Sequence, residues 1–286
     1  MELLAQVSLN AVMLSASYIL LAVGMSLVFG VMRVVNVAHG SLYMVGAFAL
    51  FIGVTTLGLN YWLALVMVIV VLFLLGIVID QTTLRTTRGS VTVQFLITLG
   101  VMYVLDTGAL ISFGYLEKSV PPVVEGVTII GGAVFANSRL LPTVLALLFV
   151  VALFLFLRYT KYGQAMRAVA QDRESACLLG VNTGLVFPLA FGIGAALAGI
   201  AGALMAPVSF IHPFLGQPIL WKSFTIVIIG GLGSIPGCLV GGAVLGLLDS
   251  FMATYIGSVP AQLAAFGAVV VILLLRPSGL LGKEKL

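Results

Sequence analysis

The sequence predicts an all-α fold: a polytopic bundle of about eight to nine transmembrane helices, some of them broken or re-entrant. Hydrophobic residues make up 62% of the 286 residues and charged residues only 8%, whereas about 25% of the residues of a soluble domain are charged. Between Leu3 and Ile79 the only fully charged side chain is Arg33. Many of the 33 glycines recur at small-residue spacing inside apolar segments, a pattern typical of closely packed membrane helices.

Nine apolar windows define the candidate spans, most of them near the 20 or so residues needed to cross a bilayer. They cover residues 7–31, 34–57, 61–79, 92–114, 140–157, 184–206, 218–233, 238–256 and 261–275. Glycine and polar residues interrupt the windows 34–57 and 218–233, so either is predicted to be a broken or re-entrant helix. The count therefore stays open between eight and nine, within a single transmembrane domain over residues 1–286.

The distribution of lysine and arginine orients the bundle, because short basic loops stay on the cytoplasmic side. Three connecting regions are basic: one with Arg85 and Arg88, one with Arg158, Lys161, Arg167 and Arg173, and the tail with Arg276, Lys283 and Lys285. The loop 115–138, with Glu117, Lys118 and Glu125, is predicted to be external. Nine crossings would place the N-terminus outside and eight would place it inside.

The stretch "RVVNVAHGSLYMVGAF" places Asn36, His39 and Gly40 at the start of the second span. A broken helix start inside the bundle exposes backbone N–H groups to a water-filled path, so these residues are candidates for a substrate pathway. The alternative is that Asn36 and His39 only cap and pin this helix start. Both interpretations stay open.

Asp106 and Asp249 lie within apolar windows. A charge at the bilayer centre costs about 2.5–3.5 kcal/mol on insertion scales, so such groups usually face water or a partner. Asp106 is therefore a further candidate for the pathway, and both carboxyls could serve a proton relay. Alternatively, each forms a structural hydrogen bond with a neighbouring helix.

The segment "GGLGSIPG" superficially resembles a phosphate loop but lacks the G-K-[ST] ending. We interpret it as a helix interruption, whose residues are Gly230, Gly231, Gly233, Ser234 and Gly237. No catalytic constellation and no metal-ligand spacing is evident, so we expect neither an enzyme nor a bound metal or cofactor. The net charge of +4 is explained by orientation in the membrane rather than by nucleic-acid binding.

The basic loop 158–183 contains good helix formers at 164–179, followed by Gly180, which suits a helix C-terminal cap. Asp172, Arg173 and Glu174 form a charged cluster on this predicted amphipathic helix. The polar face is either a docking surface in the cytoplasm or a solvated connector.

Four segments in register, "VVNVAHGSLYMVGAF", "RAVAQDRESACLLGVN", "GGLGSIPGCLVGGAVLG" and "RPSGLLG", closely resemble the permease subunits of bacterial branched-chain amino acid ABC importers. The resemblance is to the H-type rather than the M-type subunit and covers about Leu9 to Gly282. It implies an inner-membrane importer in which this chain pairs with an M-type permease. The other partners would be two cytoplasmic ATPase subunits, which use the ATP, and a periplasmic substrate-binding protein.

By the same resemblance, the loop around Ala168 to Gly180 couples the permease to the ATPases, with Arg167, Asp172, Arg173 and Glu174 as its charged residues. The segment "AVAQDRESACLLG" lacks the Glu-Ala-Ala lettering of other importers. Related systems move urea, amides or aromatic acids, so the cargo stays open. A stand-alone secondary transporter or channel that uses Asp106, Asp249 and His39 is the alternative function.

Overall fold

The computed structural model describes residues 2–130 and 133–282. These residues form eleven helices and one β-hairpin. In chain order the elements are α1 (Glu2–Met32), α2 (His39–Phe51), α3 (Tyr61–Ile79), α4 (Val91–Phe113), β1 (Val127–Ile130), β2 (Ala133–Ala136), α5 (Asn137–Tyr159), α6 (Lys161–Gln171), α7 (Arg173–Leu178), α8 (Thr183–Met205), α9 (Gly216–Gly230), α10 (Ile235–Tyr255) and α11 (Ser258–Leu275). Single π-helical turns extend α2 through Thr56 and α3 through Leu84. Lys283 and Lys285, assigned above to the basic tail, lie outside the described residues.

Eight helical segments of the described chain are long and apolar enough to cross a membrane, which confirms the polytopic helical bundle. The predicted window 218–233 corresponds to α9, which has 15 residues. At 1.5 Å per residue α9 is about 22 Å long, shorter than the hydrocarbon core of about 30 Å. We call α9 the half-length helix.

The half-length helix nevertheless completes a ninth passage between the two ends of the bundle. Before it, residues 206–215 join the loop predicted to be external, where Lys118 and Ile211 exchange two backbone hydrogen bonds of 2.9 and 2.8 Å. After it, Gly233 packs against Gly30 near the other end of α1. Residues 2–130 and 133–282 therefore pass nine times between the two ends of the bundle, eight times as long helices and once through an irregular segment followed by α9.

Helix α8 lies at the centre of the bundle, and glycines allow three helices to approach it closely. Gly194 contacts α1 at Gly24, and Gly202 contacts the carbonyl of Tyr43 on α2. Gly199 packs against Leu72 of α3. Since lipid provides no hydrophobic drive for helix association, such close contacts supply much of the packing attraction.

The two G-x-x-x-G spacings in α10 also serve packing, as the sequence predicts. Gly242 and Gly246 lie against Ile19 and Ser15 of α1. Gly237 packs on the last residue of the half-length helix, Gly230. These contacts bring α10 against both α1 and α9.

The "GGLGSIPG" segment forms a turn between two helices rather than an interruption within one. Gly231 and Gly233 have φ values of 104° and 79°, a region open to glycine but costly for other residues. The Ser234 hydroxyl then accepts a hydrogen bond from the Gly237 N–H, 3.1 Å away, and caps α10.

The C-terminal tail completes this turn. The N–H of Leu280 donates to the carbonyl of Ile229 at 2.8 Å, and that of Leu281 donates to the carbonyl of Gly230 at 3.1 Å. The last carbonyls of a helix have no partner within it, so the tail satisfies two of them at the end of the half-length helix. The "RPSGLLG" motif is thereby explained as a cap for α9.

One local prediction is wrong, and one predicted loop contains regular structure. The predicted helix 164–179 is two helices, α6 and α7, because Asp172 accepts backbone hydrogen bonds from Glu174 and Ser175 and starts a new helix. The predicted external loop contains an antiparallel hairpin in which Val127 pairs with Ala136 and Ile130 with Ala133. Its strands are rich in valine and isoleucine, residues that favour extended structure.

Candidate functional site

The start of α2 is a helix terminus deep inside the bundle. After α1 the chain turns at Arg33, a non-glycine residue with φ of 56°, and residues 33–38 are not helical. His39 Nε2 then lies 3.0 Å from the carbonyl oxygen of Leu21. Leu21 is about 16 Å along the α1 axis from Met32, so α2 begins well inside the membrane.

The polar side chains at this helix start differ in how they are satisfied. His39 is fully buried, and its Nε2 pins α2 to α1 through the Leu21 contact, while its Nδ1 has no hydrogen-bond partner among the described residues. Asn36 is 1% exposed, and neither of its side-chain polar atoms has a hydrogen-bond partner. No side chain caps α2 at Ala38. No protein group of the described residues therefore satisfies the buried amide of Asn36.

Asp106 of α4 connects the two broken helix starts. Its Oδ1 accepts a hydrogen bond of 2.6 Å from the Ser41 hydroxyl of α2, and its Oδ2 accepts one of 3.3 Å from the Gln217 amide of α9. Beside this contact the backbones of Gly40 and Gly216 meet. We call Asn36, His39, Ser41, Asp106 and Gln217 the midplane cluster.

The structure thus brings together Gly40 and Asp106, which the sequence suggests as pathway residues, and it places Asn36 and His39 on the same helix start. Sequence reasoning missed Ser41 and Gln217. The signal for Gln217 was its position as a polar residue directly before an interrupted apolar window. Nothing in the sequence pairs Ser41 with Asp106.

We expect His39→Ala to destabilise the protein by about 1–3 kcal/mol, because it removes the buried hydrogen bond to the Leu21 carbonyl and the packing of the imidazole ring. Thermal unfolding of the purified protein in detergent measures this loss. His39→Gln, whose amide can still donate to that carbonyl, is the matched control. Unchanged stability with lost transport would instead favour the pathway interpretation of His39.

A second polar cluster joins α1, α9 and α10, and we call it the membrane triad. Asp249 Oδ2 accepts hydrogen bonds from the Tyr18 hydroxyl at 2.8 Å and from the Lys222 ammonium at 2.6 Å. Lys222 also contacts the Tyr18 hydroxyl and lies 4.8 Å from the centroid of its ring. Asp249 therefore has an opposite charge as its partner.

No hydrogen bond joins the membrane triad to the midplane cluster among the described residues, so these residues show no direct link between Asp249 and Asp106. Sequence reasoning noted Asp249 but missed its partners. The signal was available, because Lys222 and Asp249 are the only charged residues between Gly184 and Leu275. Two isolated opposite charges in one apolar stretch are expected to pair.

The loop between α5 and α8 presents an exposed surface at the end of the bundle where the basic loops lie. We call this end the basic end. The carboxylate of Asp172 caps α7 and also accepts a hydrogen bond of 2.7 Å from the Ser175 hydroxyl. The Ser175 hydrogen bonds lower the pKa of Asp172. Gly180, with φ of 85°, follows the end of α7, which confirms the predicted cap.

The exposed face of this loop carries two leucines as well as charges. Leu178 is 89% exposed and Leu179 is 86% exposed. Asp172 and Glu174 are also exposed. The Arg167 guanidinium donates a hydrogen bond of 3.4 Å to the Arg158 carbonyl. We call Asp172, Glu174, Leu178 and Leu179 the loop surface.

Arg173 anchors the loop to the bundle. Its guanidinium lies 5.3 Å from the centroid of the Phe187 ring of α8, and that of Arg88 lies 4.7 Å from the same centroid. Arg88 also pairs with the buried carboxylate of Asp80 at 2.8 Å. With Arg33, these arginines line a pocket of about 190 Å³. The basic residues near the ends of α1 and α3 and at the start of α7 therefore meet at one end of the bundle.

Comparison with known proteins decides what kind of molecule this is. The sequence model of a family described as "Branched-chain amino acid transport system / permease component" matches residues 7–275. The chain belongs to this family. It is therefore an integral, multi-pass membrane permease, a transport subunit of an ABC importer.

Individual relatives agree over nearly the whole chain. The high-affinity branched-chain amino acid permease BraD of Pseudomonas aeruginosa is 33% identical over 96% of this chain and 95% of its own length. The permease LivH is 32% identical in Escherichia coli and 31% in Salmonella typhimurium, in both cases over 96% of this chain and 94% of the relative. No solved structure gives a significant match.

Proposed function

We propose that this permease imports branched-chain or other hydrophobic amino acids across the bacterial inner membrane, as the H-type subunit of an importer. The relatives BraD and LivH are named for branched-chain amino acids and are similar over 96% of this chain. Its partners would be an M-type permease, two cytoplasmic ATPase subunits and a periplasmic substrate-binding protein. ATP would be used by the ATPase subunits, and this chain would hold no nucleotide or other cofactor.

The loop surface carries the coupling part of the proposal. Two leucines that are nearly nine-tenths exposed on a capped helix at the basic end are typical of a protein contact, since large apolar side chains in water favour a partner. The carboxylates of Asp172 and Glu174 lie on the same short element. Arg173, stacked on Phe187, would transmit movement of this loop to the first turn of α8.

Alternating access needs a part of the bundle that has two arrangements of similar free energy. We assign this part to the broken starts of α2 and α9, which meet inside the bundle at Gly40 and Gly216 and share the Asp106 hydrogen bonds. Asn36 is unsatisfied in this arrangement. A second arrangement that hydrated the Asn36 amide, or passed substrate over it, would recover its hydrogen bonds.

Leu178→Asp tests the coupling. In the assembled importer we expect amino acid uptake to fall by more than about tenfold, the usual effect of losing a central apolar anchor of an interface. ATP hydrolysis by the partner subunits should continue without producing uptake. Uptake in proteoliposomes and phosphate release are measured on the same preparation.

Gln164→Asp is the matched control, because Gln164 is an exposed residue of the neighbouring helix α6 outside the loop surface. It introduces the same charge and should leave uptake close to wild type. Normal, ATP-coupled uptake by Leu178→Asp would contradict the assignment of the loop surface as the contact with the ATPases.

A further inference from the structure

We infer that a cavity at the external end of this chain binds an apolar amino acid in its zwitterionic form, with Arg139 taking the carboxylate and Asp249 taking the ammonium. The inference rests on the proposed function and names a binding site within it.

The cavity has the size and lining of a small-molecule site. Its volume is about 360 Å³, within the range of roughly 300–1,000 Å³ that is usual for ligand pockets. It lies between α1, α5, α8 and α10, near the ends that face the loop predicted to be external. Its wall is mostly apolar and includes Met13, Leu14, Met205 and Val208.

Two opposite charges line this apolar cavity. Arg139 lies in the first turn of α5 and is exposed. Asp249 lies deeper, more than one turn before the end of α10, with its side chain 8% exposed. The cavity therefore offers a cation for the carboxylate and a carboxylate for the ammonium of such an amino acid, and its apolar wall can hold the side chain.

Both charged groups retain binding capacity. Within residues 2–130 and 133–282, no carboxylate forms an ion pair with Arg139, whose guanidinium can bind a carboxylate through two parallel hydrogen bonds. Tyr18 and Lys222 both occupy Oδ2 of Asp249, while the structure records no hydrogen bond to Oδ1. An ionised carboxylate accepts about four hydrogen bonds, so the α-ammonium can share Asp249 with Lys222.

A lipid acyl chain is the competing occupant, since much of the wall is apolar. An acyl chain would give neither Arg139 nor Oδ1 of Asp249 a polar partner. The two occupants differ in what they require: a zwitterion needs both of its charged groups, whereas an acyl chain needs neither.

Protection of an introduced cysteine tests the site. Ala253 is exposed and lines the cavity, so Ala253→Cys should react with a membrane-impermeant thiol reagent added outside right-side-out proteoliposomes of the assembled importer. The native cysteines should not react, because Cys177 is at the basic end and Cys238 is buried. Leucine at ten times its Kd is expected to slow the labelling about tenfold.

Two analogues and one variant separate the zwitterion from other occupants. Leucinamide lacks the carboxylate and 4-methylpentanoate lacks the ammonium, so each should protect less than leucine. Arg139→Gln should abolish the difference between leucine and leucinamide, which a purely structural arginine would not do. Tyr255→Cys, exposed on α10 but outside the cavity lining, controls for general changes in reactivity.

Two results would overturn the inference in proteoliposomes that still import leucine. Either leucine fails to protect Ala253→Cys from labelling, or leucine and both analogues protect it equally. Such an outcome leaves the proposed function intact. Failure of the wild-type complex to import any apolar amino acid would overturn the proposed function itself. If Ala253→Cys impairs uptake, Thr254→Cys, also exposed and lining the cavity, replaces it.

Discussion

Lys222→Met is expected to lower the free energy of unfolding by about 3 kcal/mol, at the lower end of the range for breaking a buried ion pair. The substitution leaves the carboxylate of Asp249 and the Tyr18 hydroxyl inside the bundle without the ammonium. The Lys222 side chain is 30% exposed and that of Asp249 is 8% exposed, so the larger part of the loss comes from the isolated carboxylate. Denaturant or thermal unfolding in detergent micelles measures it.

The double variant Lys222→Met with Asp249→Leu distinguishes a lost attraction from a general packing defect. Because it removes both charges, it should recover most of the stability lost in the single variant. If the double variant is as unstable as the sum of the two single variants, the ion pair does not hold α9 to α10.

Gly202→Ala is expected to have an effect of similar size for a different reason. A Cβ atom at Gly202 would meet the backbone carbonyl of Tyr43, and a backbone atom cannot rotate away as a flexible side chain can. Helices α2 and α8 would have to separate, which we expect to cost about 3 kcal/mol. The loss of stability should be accompanied by loss of uptake, because α2 carries His39 and Ser41 of the midplane cluster.

Gly100→Ala on α4 is the matched control. Apart from the neighbouring backbone of α4, no atom of the described residues lies within 4 Å of a Cβ at Gly100, and alanine is favoured over glycine in a helix by about 1 kcal/mol. We therefore expect this variant to be at least as stable as the wild type. Equal behaviour of Gly202→Ala and Gly100→Ala in thermal unfolding would contradict the close α2–α8 contact.

The sequence was sufficient for the bundle because apolar windows and basic loops are set by residues close together in the chain. The interrupted windows also located both broken segments, since glycine and polar residues stand out in an apolar background. Local sequence patterns could not predict how much of the membrane thickness each helix crosses. That α9 is half-length became clear only from its contacts, with Gly216 against Gly40 and Gly233 against Gly30.

The polar clusters were harder to predict, because their members are distant in sequence. Asp106 and Asp249 were recognisable as unusual, but Ser41, Gln217 and Tyr18 are ordinary residues until the fold brings them to a carboxylate. The helix predicted at 164–179 shows that even local structure could be predicted only in part. The sequence predicts Asp172 as part of a charged cluster on one helix, whereas in the structure its side chain accepts backbone N–H groups and starts a second helix.

Uptake of labelled leucine by the reconstituted importer, measured with ATP inside the proteoliposomes and with an imposed pH gradient instead, tests the central claim most directly. The complex holds this permease, the M-type permease and the ATPase subunits, with the binding protein added outside. We predict uptake that requires ATP hydrolysis and is insensitive to the pH gradient. Uptake driven by the pH gradient alone, by this chain without its partners, would contradict the account and favour a stand-alone transporter.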